Sequence, residues 1–172
     1  ADVVINDANM IIATAAGFHI YDLANPIAPS LINSKIVDKA VKSVDLDGSL
    51  LVAVAGNDLL TFSAGSLRAL TQLSQFTLPI PRQAELVEEY AYVAPGDGQS
   101  QLYSIIDLTS AAEPVQVATG PDFTAVDLVR AGDYVLYASA RPDTSAIPVI
   151  NVRQISAPAY QALIPFTKAR SR

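Results

Sequence analysis

Asp22 in "FHIYDLANPIAP" and Asp107 in "YSIIDLTSAAEP" are the acidic residues with the clearest chemical potential, because each closes the same apolar phrase. Carboxylates repeated around an array could hold Ca²⁺, which takes about six to eight oxygen ligands. A carboxylate at a strand end has a second use: it accepts from backbone N–H groups of the turn that follows. The corresponding positions of the other two copies are Ser63 and Asn151, which can cap a turn but would make a poor metal ring. The structural use is therefore expected, with no cofactor nominated and Ca²⁺ kept as the alternative.

His19 is the only histidine, and the chain has no cysteine. A Ser–His–Asp triad or an imidazole metal site would have to be built around it. Strand alternation in "FHIYD" puts Phe18, Ile20 and Asp22 on one face and His19 and Tyr21 on the other, the setting of a hydrogen-bonded packing residue. Glu88 and Glu89 in "VEEY" are adjacent, so they do not straddle a glycosidic bond, and they read as a solvated turn. Tyr90, Tyr92, Tyr134 and Tyr137 read as packing residues.

Two loops remain. "PGDGQSQ" (95–101) offers Gly96, Asp97, Gly98 and Gln99 at an extended hairpin tip, without the ligand series of a calcium loop or the Lys and helix of a phosphate loop. "ARPDTSAIP" (140–148), with Arg141, Asp143 and Thr144, falls at the same point of a later repeat. Insertions that leave a repeat array on one face often mark its binding face. These seven residues are the candidate partner-binding positions, and no catalytic residue is nominated.

The elements that would position them repeat along the chain. Asp22, Ser63, Asp107 and Asn151 form one column, spaced by 41, 44 and 44 residues, and seven positions later stand Pro29, Leu70, Pro114 and Pro158. Upstream lie "NMIIATA" (9–15), "SLLVAVA" (49–55), "EYAYVAP" (89–95) and "DYVLYAS" (133–139), each after a polar turn. The segments are short, rich in Val, Ile, Tyr, Phe and Thr, and bounded by Gly, Pro, Asn and Asp, so they predict strands. In the second unit these are "VKSVDL" (41–46), "LLVAVA" (50–55), "LLTFS" (59–63) and "LTQLSQFTL" (70–78), the last with a wet outer edge. Four strands per unit of about 43 residues is the pattern of a propeller blade.

"GFHIYDLANPIAPSLINS" (17–34) and "LYSIIDLTSAAEPVQVATG" (102–120) resemble the unit of the LVIVD-repeat β-propellers, an apolar strand ending in Asp before a Pro-containing turn. The fourth unit resembles it more loosely, and the second departs from it at Ser63 and Leu70. The resemblance implies a propeller fold and an extracytoplasmic prokaryotic setting, and implies no catalytic residues.

Composition limits the rest. The chain has 172 residues, 51% hydrophobic and 16% charged, enough for one domain with a sizeable core. A net charge of −6 argues against nucleic acid. The longest apolar run, "LLVAVA" (50–55), is far shorter than the roughly 20 residues of a membrane span. Met10, the only methionine, lies inside a strand-like run, and "ADVV" suits the residues after a signal-peptide cut or an arbitrary boundary.

The expectation is an all-β, propeller-type array of four antiparallel four-stranded blades forming a single repeat domain, with or without completion of a larger ring by other chain segments. Its units are 1–37, 38–78, 79–123 and 124–167, with a basic tail at 168–172. The expected role is a non-catalytic extracytoplasmic scaffold, periplasmic, secreted or on the cell surface, that binds a protein partner or serves as a subunit of a larger complex. A carbohydrate- or small-ligand-binding propeller and a divalent-ion-dependent hydrolase are the alternatives. Pro114→Ala should change stability by about 1 kcal/mol or less, acting through the unfolded chain; a urea titration showing loss of folding would refute the turn assignment.

Overall fold

The two faces of "LLVAVA" are equally apolar, so this segment has to lie between covering layers. The structure, a computed structural model, places it there. It describes residues 2–96, 103–119, 124–131, 134–140, 149–154 and 157–165.

Among these residues the first sheet comprises β1 (Val3–Asn6), β2 (Asn9–Thr14), β3 (Gly17–Asp22) and β4 (Ser30–Ile36). The second comprises β5 (Val41–Asp47), β6 (Leu50–Ala55), β7 (Asp58–Ser63) and β8 (Thr71–Thr77). The third comprises β9 (Pro81–Val87), β10 (Tyr90–Pro95), β11 (Ser104–Asp107) and β12 (Val115–Thr119). The fourth comprises β13 (Thr124–Ala131), β14 (Tyr134–Ala140), β15 (Val149–Gln154) and β16 (Ala157–Pro165). Each sheet is an antiparallel meander whose strands pair in chain order. The all-β, four-by-four architecture expected from the repeats is the one observed.

Equivalent turns fix equivalent registers. Asp7, Gly48 and Glu88 each open the two-residue hairpin between a sheet's first and second strands, with φ of 51°, 54° and 54°. The strand-end column appears as cross-strand pairs: Asn9 with Asp22, Leu50 with Ser63, and Tyr90 with Asp107. In the fourth sheet Tyr134 pairs with Gln154, not with Asn151. The strand end of the fourth unit is thus Gln154, three positions after the aligned Asn151, because β15 continues past the apolar "PVI". Pro29, Leu70 and Pro114 stand directly before the outermost strands β4, β8 and β12, where a missing N–H costs least. Pro158 instead lies inside β16.

The sheets stack face to face through three cores. Ile11, Ala13, Phe18 and Ile20 of the first sheet meet Leu51, Ala53, Leu60 and Phe62 of the second. Val52, Val54 and Leu59 meet Leu86, Ala91, Val93 and Ile106. Tyr92, Tyr103 and Ile105 meet Val135 of the fourth sheet. Phe18 and Phe62 join edge to face with centroids 5.4 Å apart. Side chains of this kind contribute about 1.5–3 kcal/mol each when fully buried.

The innermost strands are tied to one another by a second device. β1, β5 and β9 pair on one side only, leaving backbone groups on the other. Asp2 Oδ2 accepts from Val44 N–H at 3.2 Å, Ser43 Oγ from Ala84 N–H at 3.3 Å, and Asp45 Oδ2 from Leu86 N–H at 2.6 Å. Asn6 Nδ2 donates to Leu46 C=O at 3.3 Å. Every bond runs from a side chain of one sheet to the backbone of the next. Burial pushes the Asp45 carboxyl above the usual carboxylate range, against the N–H groups of Leu86 and Leu46 that favour its charged form.

Gly17 opens β3 with φ 138°, and a Cβ there would lie 1.9 Å from the Lys35 carbonyl oxygen on β4. Gly48 has φ 54° and open space around it. Gly17→Ala should therefore cost about 3 kcal/mol or more and Gly48→Ala about 1 kcal/mol. Equal shifts of the two urea midpoints would contradict this placement.

Candidate functional site

Because every sheet is a meander begun in the same sense, its connections sort to two ends. One end carries the hairpins at 15–16 and 56–57, the inter-sheet links at 37–40 and 78–80, and the β10–β11 and β14–β15 connections. The other carries the turns at 7–8, 48–49 and 88–89 and the loops before β4, β8 and β12. The two candidate loops therefore leave from the same end. Gly96 sits at the base of the first, its N–H donating to Ile80 C=O at 2.7 Å, as Gly56 N–H donates to Ala40 C=O at 3.2 Å. Asp97, Gly98, Gln99, Arg141, Asp143 and Thr144 lie outside the described residues.

The loop end also holds two concavities. One, of about 310 Å³, lies beside the link between the first two sheets and is lined by Lys35, Asp38, Lys39, Asp58, Gln72 and Gln75 among others. Asp58 opens β7 and is only 2% exposed. Its carboxylate takes an ion pair from Lys39, a hydrogen bond from Gln75 Nε2 at 2.9 Å, and one from Thr77 Oγ1 at 2.7 Å. Burial alone would raise its pKa, but these donors, Lys39 foremost, hold the carboxyl below the usual range. The group is a fully partnered tie between the link and the second sheet. Sequence reasoning passed over it; the available signal was an Asp opening the apolar run "DLLTF" directly after a Gly-Asn turn.

The second concavity, about 760 Å³, opens at the ends of the innermost strands and is lined by Asp2, Thr14, Lys42, Ser43, Arg82 and Gln83 among others. Lys42 Nζ bridges the carbonyls of Gly56 at 2.7 Å and Pro81 at 2.8 Å, so its charge is anchored to the scaffold. Arg82 is exposed at the rim.

At the opposite end, Asp22 Oδ1 accepts from Ala24 N–H at 2.7 Å, and Asp107 Oδ1 from Thr109 N–H at 2.8 Å and Thr109 Oγ1 at 2.6 Å. The Thr109 hydroxyl, then its N–H, hold the Asp107 carboxyl below the usual range. Both carboxylates cap their own turns, as the structural use required. Glu88 and Glu89 form an exposed two-residue hairpin turn. His19 Nδ1 lies 2.8 Å from Ser34 Oγ across the β3–β4 pair, away from Asp22. Among the described residues no three His, Asp or Glu side chains converge in a metal-ligating group, and no helix is long and apolar enough to cross a membrane.

No family model and no curated protein matches the chain. Its backbone is similar to many solved structures. A protein from Lactobacillus plantarum superposes with TM-score 0.72 at 12% identity, over 96% of this chain and 56% of that one. Hsv2 of Kluyveromyces marxianus gives 0.60 at 13% identity, over 91% and 46%. The N-terminal domain of Nup159 gives 0.56 at 10% identity, over 95% and 47%. The latter two are β-propellers, and the array described above is of that type. The chain spans about half the length of these structures.

The carboxylate ties predict opposed pH effects. Asp58, its folded pKa below 3.8, contributes stability that is present above that value and lost as pH falls through the folded pKa. Asp45, raised above 3.8, contributes stability that is present below that value and lost as pH rises through its folded pKa. Asp58→Asn should cost about 1–3 kcal/mol near neutrality and flatten the acid limb of a urea-midpoint profile. An acid limb as steep as that of the parent would refute the assignment.

Proposed function

We propose that the chain is a non-catalytic interaction module of the LVIVD-repeat type, acting outside the cytoplasm and holding a protein partner or a larger assembly at its loop end. The observation that carries this is the sorting of connections. The β10–β11 and β14–β15 connections, 96–103 and 141–148, are eight residues each, where β2–β3 and β6–β7 are joined by two. By strand direction both leave the array at the end that also holds the two concavities of the first three sheets. A stacked sheet scaffold with its longer loops gathered at one end is suited to presenting a contact surface. The charge supports a mixed polar interface: Lys35, Lys39, Lys42 and Arg82 lie at this end with Asp2, Asp38 and Asp58, while Asp7, Asp47, Glu88, Glu89 and Asp107 crowd the other. Propeller neighbours such as Nup159 and Hsv2 are consistent with a protein-interaction role.

A second reading, a carbohydrate or small polar ligand, is favoured by the concavity of about 760 Å³, which falls within the roughly 300–1,000 Å³ of ligand sites. Replacing residues 96–100 by a two-residue turn should leave the melting transition in place and weaken capture of a protein partner in a pull-down. Unaltered capture would overturn the loop-end assignment, and hits on a glycan array that survive the replacement would move the role to the concavity.

A further inference from the structure

The innermost strands β5 and β9 each carry an extra residue at the loop end. In the β5–β6 pair Val41 faces Ala55 and Ser43 faces Val54, so Lys42 bulges out of the ladder. In the β9–β10 pair Pro81 faces Pro95 and Gln83 faces Ala94, so Arg82 does the same. Ala55 and Pro95 each close their strand, which makes the two bulges equivalent. A β-bulge re-aims the side chain of its extra residue and is over-represented beside functional sites. In both sheets the residue so placed is a cation.

The second sheet brings its cation to the third. Lys42 Nζ donates to Pro81 C=O at 2.8 Å, and Pro81 directly precedes Arg82. The ammonium is thus held one peptide unit from the Arg82 backbone, while Gly56 C=O, at 2.7 Å, fixes its other side. One of its three N–H donors remains. Arg82 is exposed, and its guanidinium offers N–H donors in a planar fork. Among the described residues neither cation is ion-paired with a carboxylate. Both stand on sheets that another sheet of this chain covers on either face, so their setting is internal to the stack.

The two cations line the concavity of about 760 Å³, where the one acidic residue is Asp2. Its Oδ1 accepts from Val3 N–H at 2.9 Å and its Oδ2 from Val44 N–H at 3.2 Å. A recess with two cations against one carboxylate, on a chain of net charge −6, concentrates positive potential where an anion can enter.

We propose that this recess binds the oxyanion group of a small polar ligand, a carboxylate or a phosphate, between Lys42 and Arg82. Either group accepts paired N–H bonds from a guanidinium and a point charge from an ammonium. Asp2, whose oxygens each keep a lone pair beyond the backbone bonds, accepts from a ligand hydroxyl. This inference rests on the second functional reading above and supplies its ligand class.

The test is calorimetric titration of the 172-residue chain with galacturonate, a galactose phosphate and galactose, which share a ring and differ in charge. At least one anionic sugar should bind about tenfold or more tightly than galactose, and the tighter of the two identifies the oxyanion. Arg82→Gln should weaken that binding about tenfold or more with the melting transition in place. Arg82→Lys, which keeps the charge and loses the fork, should restore part of it. Arg68→Gln removes an exposed cation from the loop before β8, at the opposite end, and should leave binding unchanged. Galactose binding as tightly as the anionic sugars, or binding indifferent to Arg82→Gln, would overturn the proposal and leave the sugar-ligand reading standing. Equal weakening by Arg68→Gln would overturn it too, by tracing the effect to net charge. If neither anionic sugar binds, the proposal falls, and the glycan array alone then decides the reading beneath it.

Discussion

A sheet that is apolar on both faces has no stable position in water unless other layers cover both. The second and third sheets are built this way, with Leu51 and Val52, or Tyr92 and Val93, adjacent in sequence and buried in opposite cores. Face-to-face stacking follows from that requirement, since burying apolar surface is the dominant favourable term in folding. The tight two-residue hairpins then keep each sheet within its own stretch of chain, so contacts between sheets come from neighbouring repeats.

Stacking alone would leave the one-sided innermost strands with backbone groups to satisfy. Asp2, Ser43 and Asp45 meet that need by reaching forward onto Val44, Ala84 and Leu86. At the loop end, Lys42 and the Lys39–Asp58 pair pin the links between sheets to the sheets themselves. The scaffold at the loop end is thus held by both packing and polar ties.

Much of this was legible in the sequence. The strands of the second unit could be bounded to within a few residues, because "DLDG" and "GND" mark its turns and the apolar runs between them are short. The capping role of Asp22 and Asp107 could be reasoned from Ser63 in the same column. The fourth unit was less legible: the insertion at 141–148 and the repetitive apolar composition let Asn151 pass for the strand end that is Gln154. The inner ladder was not legible, and the Asp58 tie only as an Asp at the head of an apolar run, with none of its partners. Their partners lie some twenty to forty residues away and are mostly backbone groups or long polar side chains, whose identity in the sequence says nothing of the bond they make.

The forward-reaching polar ties have an evolutionary consequence. On the receiving side the partner is a main-chain N–H or C=O, which any residue other than proline supplies in full, so the receiving position is free to change its side chain without breaking the contact. On the giving side, Asp and Ser perform the same service at equivalent places. A joint of this sort tolerates extensive substitution on its receiving side while conserving the relative pose of its layers.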